Sequence, residues 1–292
     1  MERSALSASM YELISHTSTV LPRDVTEALK KSSDREESGS IARETLDILL
    51  ASAQMSRDES LPLCQDTGAL FAVVRMRPSN DLSAVVSALT GAVRTLTGEG
   101  ILRQNCVDPV TEKNTGDNTG AYVPQIHVHP WDGPTRISVM LKGGGSENVS
   151  TQYSLPLARL SAGRDFEGVR RCVLDAVYAA QGQGCAPGIL GVCIGSDRGS
   201  GYLVAKEQLF RRLDDTNPIE ALNTLETEIL EQANTLGIGP MGLGGNTTLL
   251  GVKIGAAGRH PACYFVTVSY SCWATRRYTV ELADTGEIET WL

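Results

Sequence analysis

The order of apolar and polar residues along the chain predicts a mixture of helices and strands. Apolar residues recur at helical spacing in residues 3–57, most clearly in 41–55, and again in 166–180. Short aliphatic runs at 69–76 and 189–194 are typical of buried strands. The same patterns predict further helices at 82–96, 201–213 and 219–236, and further strands at 135–142, 247–254 and 264–270.

Two segments depart from this regular pattern. Residues 103–134 show little periodicity and are rich in Asn, Asp, Thr, Gly and Pro, so they predict a long polar loop. Within this loop, His127 and His129 alternate on an extended stretch, with no third ligand nearby for a metal ion. Residues 275–292 alternate apolar and polar positions around a turn at 284–286, which indicates a C-terminal hairpin.

These elements place the chain in the mixed α/β (α+β) class, without the regular spacing of repeated βαβ units. We expect one compact domain over residues 1–292, in which small mixed sheets are surrounded by helices. Residues 1–40 are expected to form a helical N-terminal segment.

Composition and charge exclude several classes of protein function. Of the 292 residues, 41% are hydrophobic and 21% charged, as in ordinary globular proteins. The net charge of −8 argues against a general nucleic-acid binder, which presents a basic face. No stretch reaches the ~18 apolar residues of a membrane helix, and the N-terminus lacks the apolar region of a signal peptide. We therefore expect a cytoplasmic protein that binds neither nucleic acid nor membrane.

Three of the seven cysteines lie where a predicted strand meets a loop, a setting in which binding sites form. They are Cys64, Cys185 and Cys272. Three widely separated thiolates suit an iron–sulfur cluster that keeps one iron free of protein sulfur, whereas four would complete the ligation of an electron-transfer cluster. The absence of a CxxC pair disfavours a zinc ribbon or a ferredoxin. The residues alone do not assign a cluster.

The other cysteines carry weaker signals. Cys172 and Cys193 lie within apolar patterns and are expected to be buried as small hydrophobic residues. Cys263 lies in a predicted strand and Cys106 in the polar loop, and Cys106 stays without an assignment. The odd number of cysteines and the expected reducing compartment argue against a disulfide framework.

Two glycine-rich segments indicate unusual backbone requirements. Residues 237–242 read GIGPMG and match GxGxxG, but they follow a predicted helix and contain Pro240, so the context of a dinucleotide site is missing. The segment is either a helix end with a turn or a loop whose amides approach an anion or cofactor. Residues 142–148 read KGGGSEN directly after a predicted strand, which indicates a ligand close to the backbone.

In combination, the motifs resemble the α subunit, or N-terminal half, of the iron–sulfur hydro-lyases, namely class I fumarases and L(+)-tartrate dehydratases. The resemblance runs from about residue 40 to about residue 278. The matching segments are PLCQDTG at 62–68, NTGDNT at 114–119, KGGGSEN at 142–148, GCAPG at 184–188, AKEQLFRR at 205–212, GIGPMGLGGNTTLLGVKI at 237–254 and HPACYFVTVSYSCWATRR at 260–277. The resemblance implies that Cys64, Cys185 and Cys272 bind a 4Fe–4S cluster.

The resemblance also implies the reaction, a reversible hydration of fumarate to (S)-malate in which the open iron acts as a Lewis acid. Asp66 follows the first cysteine ligand by two positions and is expected to donate or shuttle the proton of the hydroxyl group. His260 is expected to be the second catalytic residue and to orient Asp66 or the hydroxyl group. The alternative is that His260 has no catalytic role and is an ordinary polar residue at the start of a strand.

Four residues are expected to bind the dicarboxylate. Arg103, in the LRQNCVDP stretch, resembles a carboxylate clamp, a task for which the bidentate guanidinium is suited. Gln65 lies beside the first ligand, and Gly144 and Gly145 could offer backbone amides to the substrate.

The resemblance implies a partner as well. A second module of roughly 200 residues, within the usual size of a single domain, supplies further cations and the base that takes the C–H proton. Because this chain ends soon after the last expected ligand, we expect an α chain that a β subunit completes, in an α2β2 assembly.

Two alternatives stay open from the sequence. Within the class, the substrate could be L(+)-tartrate or a methylated dicarboxylate, since the carboxylate clamps would be shared. The second alternative belongs to another functional class, a non-catalytic iron–sulfur sensor or assembly protein. A fourth protein ligand to the cluster, such as Cys193, would favour this interpretation.

Overall fold

The computed structural model describes residues 1–292 and has the mixed α/β character that the sequence predicts. The helices are α1 Arg3–Thr19, α2 Arg23–Arg35, α3 Ile41–Glu59, α4 Leu82–Gly98, α5 Gly144–Asn148, α6 Phe166–Ala180, α7 Arg198–Gln208 and α8 Glu220–Asn234. The strands are β1 Ala69–Met76, β2 Gln125–Pro130, β3 Thr135–Lys142, β4 Thr151–Ser154, β5 Gly188–Gly195, β6 Leu249–Ala257, β7 Phe265–Ser271, β8 Arg276–Leu282 and β9 Ile288–Trp291. Short 3₁₀ turns lie at Ala158–Leu160 and Pro240–Gly242.

Aspartate side chains define where several helices begin. The carboxylate of Asp81 accepts a hydrogen bond from the amide of Ala84 at the start of α4. Asp165 does the same for Gly168 in α6, and Asp197 accepts from Gly199 and Ser200 in α7. Each cap satisfies amides that have no partner within the helix and so fixes the first turn.

The structure differs from the sequence prediction in the polar segment 103–134, which is not a loop throughout. Residues 125–130 form β2, which pairs in parallel with β1, with His127 opposite Val73. The alternating histidines in the sequence were the one sign of this strand. The segment 3–57 is helical as predicted but is interrupted twice, at 20–22 and at 36–40, where Pro22 and Gly39 lie.

The chain divides into two compact units. Unit 1 contains Met1–Pro22, Ser52–Gly144 and Ala274–Leu292, and unit 2 contains Arg23–Ala51 and Gly145–Trp273. The expectation of a single domain over 1–292 stays a prediction. No helix in the structure combines the length and apolar character that crossing a bilayer requires.

Unit 1 is built on a five-stranded mixed sheet in the order β2-β1-β3-β8-β9. Only β1 and β2 run parallel, and β8 and β9 form the predicted C-terminal hairpin. Helices α1 and α4 pack against each other, and their apolar faces join the sheet in one core. Core residues include Leu6, Leu13, Leu89, Val93, Ile137, Val139 and Val280.

Unit 2 is built on a four-stranded mixed sheet in the order β4-β7-β5-β6. Every residue of the central strand β5 is buried, which explains its continuous aliphatic sequence. Helices α6 and α8 contribute to a core with the sheet, and α7 packs on β5 and β7. Gly191 makes the approach of α7 possible, because a Cβ atom at this position would overlap the carbonyl oxygen of Ala205.

We therefore expect Gly191→Ala to destabilise the chain by about 1–3 kcal/mol, the usual cost of overpacking a filled core. The measurement is the free energy of unfolding in urea, followed by circular dichroism. Gly258→Ala is the matched control, since a Cβ atom there meets no heavy atom within 4 Å. Equal stability of the two variants would contradict the packing argument.

Candidate functional site

In unit 1, the segment from Cys64 to Gly68 forms a tight turn directly before β1. Cys64 is partly exposed, and the amide of Gly68 donates to Asp66 Oδ1 over 2.9 Å, which closes the turn. Gly68 has a φ of +81°, and a Cβ atom there would lie 2.9 Å from the backbone of Leu141 and Lys142 in β3. The glycine of the QDTG motif is therefore required for both the backbone conformation and the contact.

Asp66 holds several chain segments of unit 1 together. Its Oδ2 accepts a hydrogen bond of 2.7 Å from the amide of Gly144, and Asn105 Nδ2 lies 3.3 Å from Oδ1. Its backbone carbonyl accepts from Arg276 Nη2 over 3.0 Å. With the Gly68 amide, three donors face the carboxylate, which leaves one of its roughly four acceptor positions for another group.

The amide of Gly144 is thus bonded to Asp66. Gly145 lies in unit 2, in the short helix α5, where a Cβ atom would approach the carbonyl of Gln183 to 3.4 Å. Gln65 is exposed and forms no hydrogen bond within the chain.

Arg103 lies beside the same turn. Its amide donates to the hydroxyl of Thr67 over 2.9 Å, and Thr67 is fully buried. The side chain of Arg103 is exposed and forms no ion pair with any carboxylate of the chain. An exposed guanidinium without an ion pair can bind a carboxylate in a bidentate manner.

Asn118 positions Arg103 and was missed as a functional residue by the sequence analysis. Its Oδ1 accepts hydrogen bonds from the amides of Asn105 and Cys106, and its Nδ2 donates to the carbonyl of Arg103. Asn118 is 8% exposed and has a left-handed φ of +58°. The signal was the NTGDNT motif, which contains this residue.

Arg276, at the start of β8, is the second residue near Asp66 that the sequence patterns did not indicate. Its side chain is 1% exposed, and apart from the bond to the Asp66 carbonyl, its Nε and Nη1 atoms have no partner. Burial of an arginine without a carboxylate is rare because desolvation of the charge is costly. Nothing in the local sequence distinguishes Arg276 from Arg277.

In unit 2, Cys185 and Cys272 lie at the same end of the four-stranded sheet. Cys185 precedes β5 with a left-handed φ of +56°, and its carbonyl accepts from the amide of Trp273, the neighbour of Cys272. Both thiols are partly exposed. A non-glycine residue in the left-handed region carries strain, and such strain is concentrated at functional sites.

The glycine-rich segment 237–245 packs against the Cys185 turn. The amide of Met241 donates to the carbonyl of Ala186 over 2.8 Å, and a Cβ atom on Gly182 would clash with the backbone of Met241 and Gly242. The segment follows α8 and leads into β6 without opening a helix, so it is not a dinucleotide fingerprint. Its glycines instead allow close backbone packing beside the cysteine.

A buried carboxylate fixes this segment from the other side. Glu36 is 5% exposed, and its carboxylate accepts hydrogen bonds from the backbone amide and the side-chain amide of Asn246. The interaction connects the end of α2 to the glycine-rich segment within unit 2.

Tyr270 lies close to both cysteines of unit 2. Its ring occupies the space that Cβ atoms on Gly184 and Gly188 would fill. Burial raises the pKa of the phenol well above its ordinary value, and the nearby Cys272 and Cys185 raise this pKa further. The hydroxyl group is buried without a hydrogen-bond partner.

His260 lies in the exposed turn before β7. Its Nδ1 accepts a hydrogen bond of 3.1 Å from the amide of Ala262. A neutral imidazole that accepts at Nδ1 carries its proton on Nε2, so Nε2 is the donor of this ring.

None of the seven cysteines forms a disulfide bond, and two of them lie in the core. Cys172 and Cys193 are fully buried, and burial raises the pKa of each thiol to about 11. Nowhere do three or more His, Cys, Asp or Glu side chains come together as they would around a single metal ion. The assignment of Cys64, Cys185 and Cys272 as ligands stays a prediction.

Comparison with known proteins identifies the family. The profile of the Fumarate hydratase (Fumerase) family matches residues 7–281. The chain belongs to this family. The resemblance found in the sequence is therefore confirmed, and the relatives described next carry the names of hydro-lyases.

Relatives of this family differ in their names. A Geobacillus stearothermophilus protein with the provisional name fumarate hydratase class I is 47% identical over 294 residues, covering 98% of this chain. The chain spans 57% of the length of that relative. A Methanocaldococcus jannaschii protein, provisionally named L(+)-tartrate dehydratase subunit alpha, is 33% identical, with 93% of this chain and 95% of the relative covered. The Escherichia coli K12 L(+)-tartrate dehydratase subunit alpha is also 33% identical, with 90% and 86% covered.

The thiol pKa values lead to a prediction for alkylation of the metal-free chain. At pH 8, iodoacetamide should modify the five partly exposed cysteines and leave Cys172 and Cys193 intact, because the thiolate is the nucleophile. A raised pKa keeps these two thiols protonated, so their labelling should increase only as the pH approaches about 11. Mass spectrometry of the labelled peptides between pH 7 and pH 10 measures this.

The urea-unfolded chain serves as the control, in which all seven cysteines should react. Modification of Cys193 at pH 8 as fast as that of Cys263 would show that the buried thiol is accessible as thiolate.

Proposed function

We propose that this chain is the α subunit of an iron–sulfur-dependent hydro-lyase that hydrates fumarate reversibly to (S)-malate. The observation that carries the proposal is the grouping in unit 1 of a partly exposed Cys64, a carboxylate on Asp66 with one acceptor position left, and the unpaired Arg103. An iron-dependent hydro-lyase for a dicarboxylate uses a metal ligand, a proton-transfer group and a cation of this kind.

The chemistry explains why these groups belong together. Removing water from malate requires loss of a poorly acidic proton next to a carboxylate and departure of hydroxide. When bound, a 4Fe–4S cluster supplies a Lewis-acid iron for the hydroxyl group. The residues of the chain then bind the carboxylates, exchange the hydroxyl proton and stabilise the negative charge.

The exposure and chemistry of the individual cysteines support such a cluster, although no three metal-binding side chains come together within the chain. Cys64, Cys185 and Cys272 are partly exposed, whereas the pKa values of Cys172 and Cys193 disfavour thiolate formation. Polar groups without partners occur beside the proposed ligands, such as the hydroxyl of Tyr270 in unit 2. Unsatisfied buried groups of this kind are typical of sites that a ligand completes.

Each expected site residue receives a proposed role. Arg103 and Gln65 bind substrate carboxylate and hydroxyl oxygens, and Asp66 exchanges the proton of the hydroxyl through its remaining acceptor position. Because the Gly144 amide is bonded to Asp66, we propose that Gly144 acts by orienting this carboxylate, while Gly145 offers its amide to the substrate. His260 donates from Nε2 to orient the hydroxyl group.

A β subunit completes the proposed enzyme. The relatives from M. jannaschii and E. coli are named as alpha subunits. We propose a partner of roughly 200 residues, within the usual range of one domain, that brings further cations and the C–H base. We propose an α2β2 assembly in the cytoplasm.

L(+)-Tartrate is the second candidate substrate, favoured by the names of the relatives that are 33% identical. Anaerobic co-expression with candidate β chains, followed by assays with fumarate, malate, L(+)-tartrate and methylated dicarboxylates, decides between them. A fourth protein ligand such as Cys193 would favour a sensor without activity, and Cys193 is buried within β5.

The ligand assignment predicts the effect of cysteine replacement. Cys64→Ser, Cys185→Ser and Cys272→Ser should each abolish the cluster, and Cys193→Ser should retain it. Iron and sulfide content after anaerobic reconstitution measures this, together with the three-iron paramagnetic signal expected after mild oxidation of the wild type. A cluster that survives Cys185→Ser but is lost in Cys193→Ser would overturn the assignment.

The proposed roles of Asp66 and Arg103 predict different kinetic effects in the αβ complex. Asp66→Asn should lower kcat by about 10²–10⁴-fold, the usual contribution of an acid–base group. Arg103→Lys should mainly raise KM, by about ten-fold, because Lys keeps the charge but loses the paired hydrogen bonds. Steady-state kinetics at matched cluster content measures both effects.

The control is Asp108→Asn in the same polar segment, because Asp108 is exposed and caps only its own turn. This variant should retain wild-type kinetics. Wild-type turnover of Asp66→Asn would remove Asp66 from the proton transfer and leave this task to His260 or the β subunit.

A further inference from the structure

The hydroxyl group of Tyr270 is a buried donor with nothing to bond to. The residue is 2% exposed, and its hydroxyl oxygen forms no hydrogen bond. Leaving a hydroxyl group buried and unsatisfied costs free energy, whereas phenylalanine would fill nearly the same volume without this cost. The presence of tyrosine at this position therefore requires an explanation.

The surroundings of the ring are shaped to accept this hydroxyl. A Cβ atom on Gly188 would overlap the phenol oxygen itself, and a Cβ atom on Gly184 would overlap the ring edge. These glycines lie on either side of Cys185, one residue before it and three after it. The backbone around the cysteine thus leaves room for a complete tyrosine.

The same tyrosine is connected to the second cysteine. Tyr270 lies in β7, two residues before Cys272, and the amide of Trp273 donates to the carbonyl of Cys185. Its own amide donates to the hydroxyl of Ser150 over 3.0 Å, which fixes the backbone at this position. Tyr270 therefore lies near both cysteines of unit 2, with its backbone fixed.

We propose that Tyr270 is a positioning residue whose hydroxyl group donates a hydrogen bond to the sulfur of Cys185 or Cys272 when these cysteines ligate the cluster. This inference rests on the proposed function, because it requires thiolate ligands at these two positions. Thiolate sulfur accepts hydrogen bonds, and such bonds to ligand sulfurs stabilise the reduced cluster and raise its reduction potential. The donor that lacks a partner in the metal-free chain is thereby satisfied in the loaded one.

The test is Tyr270→Phe in the α chain, studied alone without metal and then with its β partner after anaerobic reconstitution. Without metal, the variant should unfold at the same or a higher urea concentration than the wild type. In the loaded complex, the reduction potential should fall, and iron should be lost to oxygen about five-fold faster, corresponding to one ordinary hydrogen bond.

Tyr153→Phe is the matched control from the same core. The hydroxyl of Tyr153 donates to Asp175 over 2.8 Å, so this variant loses a bond that exists without metal. It should unfold at a lower urea concentration than the wild type and leave the potential and the rate of iron loss unchanged.

Three results would overturn the inference. Wild-type potential and iron loss in loaded Tyr270→Phe would show that the hydroxyl does not bond to a ligand sulfur. A loss of metal-free stability as large as that of Tyr153→Phe would show that the hydroxyl already has a partner, such as a buried water. Failure of the wild-type chain to assemble any cluster would overturn the proposed function, and this inference with it.

Discussion

The carboxylate of Asp66 is the interaction on which the candidate site in unit 1 depends. It accepts backbone amides from Gly68 and Gly144, and the adjoining carbonyl accepts from Arg276. These bonds join the segments that enter β1, leave β3 and enter β8, which all lie at one end of the sheet. These hydrogen bonds fix the orientation of the Asp66 carboxylate. The residue proposed to exchange the substrate proton is therefore oriented by the same bonds that hold the fold together.

In unit 2, the backbone around Cys185 is positioned in a different way, by glycine residues that have no side chain. Cys185 can adopt its left-handed conformation and its contacts because Gly182, Gly184 and Gly188 allow other groups to approach the backbone closely. Glycine has a conformational entropy cost on folding, and here the glycines allow the segment 237–245 to approach closely enough for the Met241 amide to bond to the Ala186 carbonyl. The glycine clusters of the sequence are therefore part of the cysteine site and do not require a nucleotide.

Sequence patterns predicted the helices whose apolar faces and capping residues lie close together along the chain. The helices at 82–98 and 166–180 carry apolar faces and aspartate caps that are visible in the sequence, and the motif resemblance identified the three cysteines. Strand β2 escaped prediction because its residues are exposed or half-buried, so its sequence QIHVHP contains no apolar run. Arg276 and Tyr270 escaped for a different reason, because no periodicity records atoms without partners or the contacts of Tyr270 with glycines far away in the sequence.

The buried groups without partners have a common physical meaning. Arg276 and Tyr270 lie in different units, yet each keeps a polar atom out of water without a hydrogen bond beside a segment that carries an expected cysteine ligand. Phenylalanine in place of Tyr270 would remove an unsatisfied hydroxyl without loss of a hydrogen bond, whereas replacement of Arg276 would also remove its bond to the Asp66 carbonyl. Under the proposed function, the hydroxyl of Tyr270 lowers the stability of the metal-free fold and gains its partner only when the cluster is bound, which is the usual relation between stability and function at an active site.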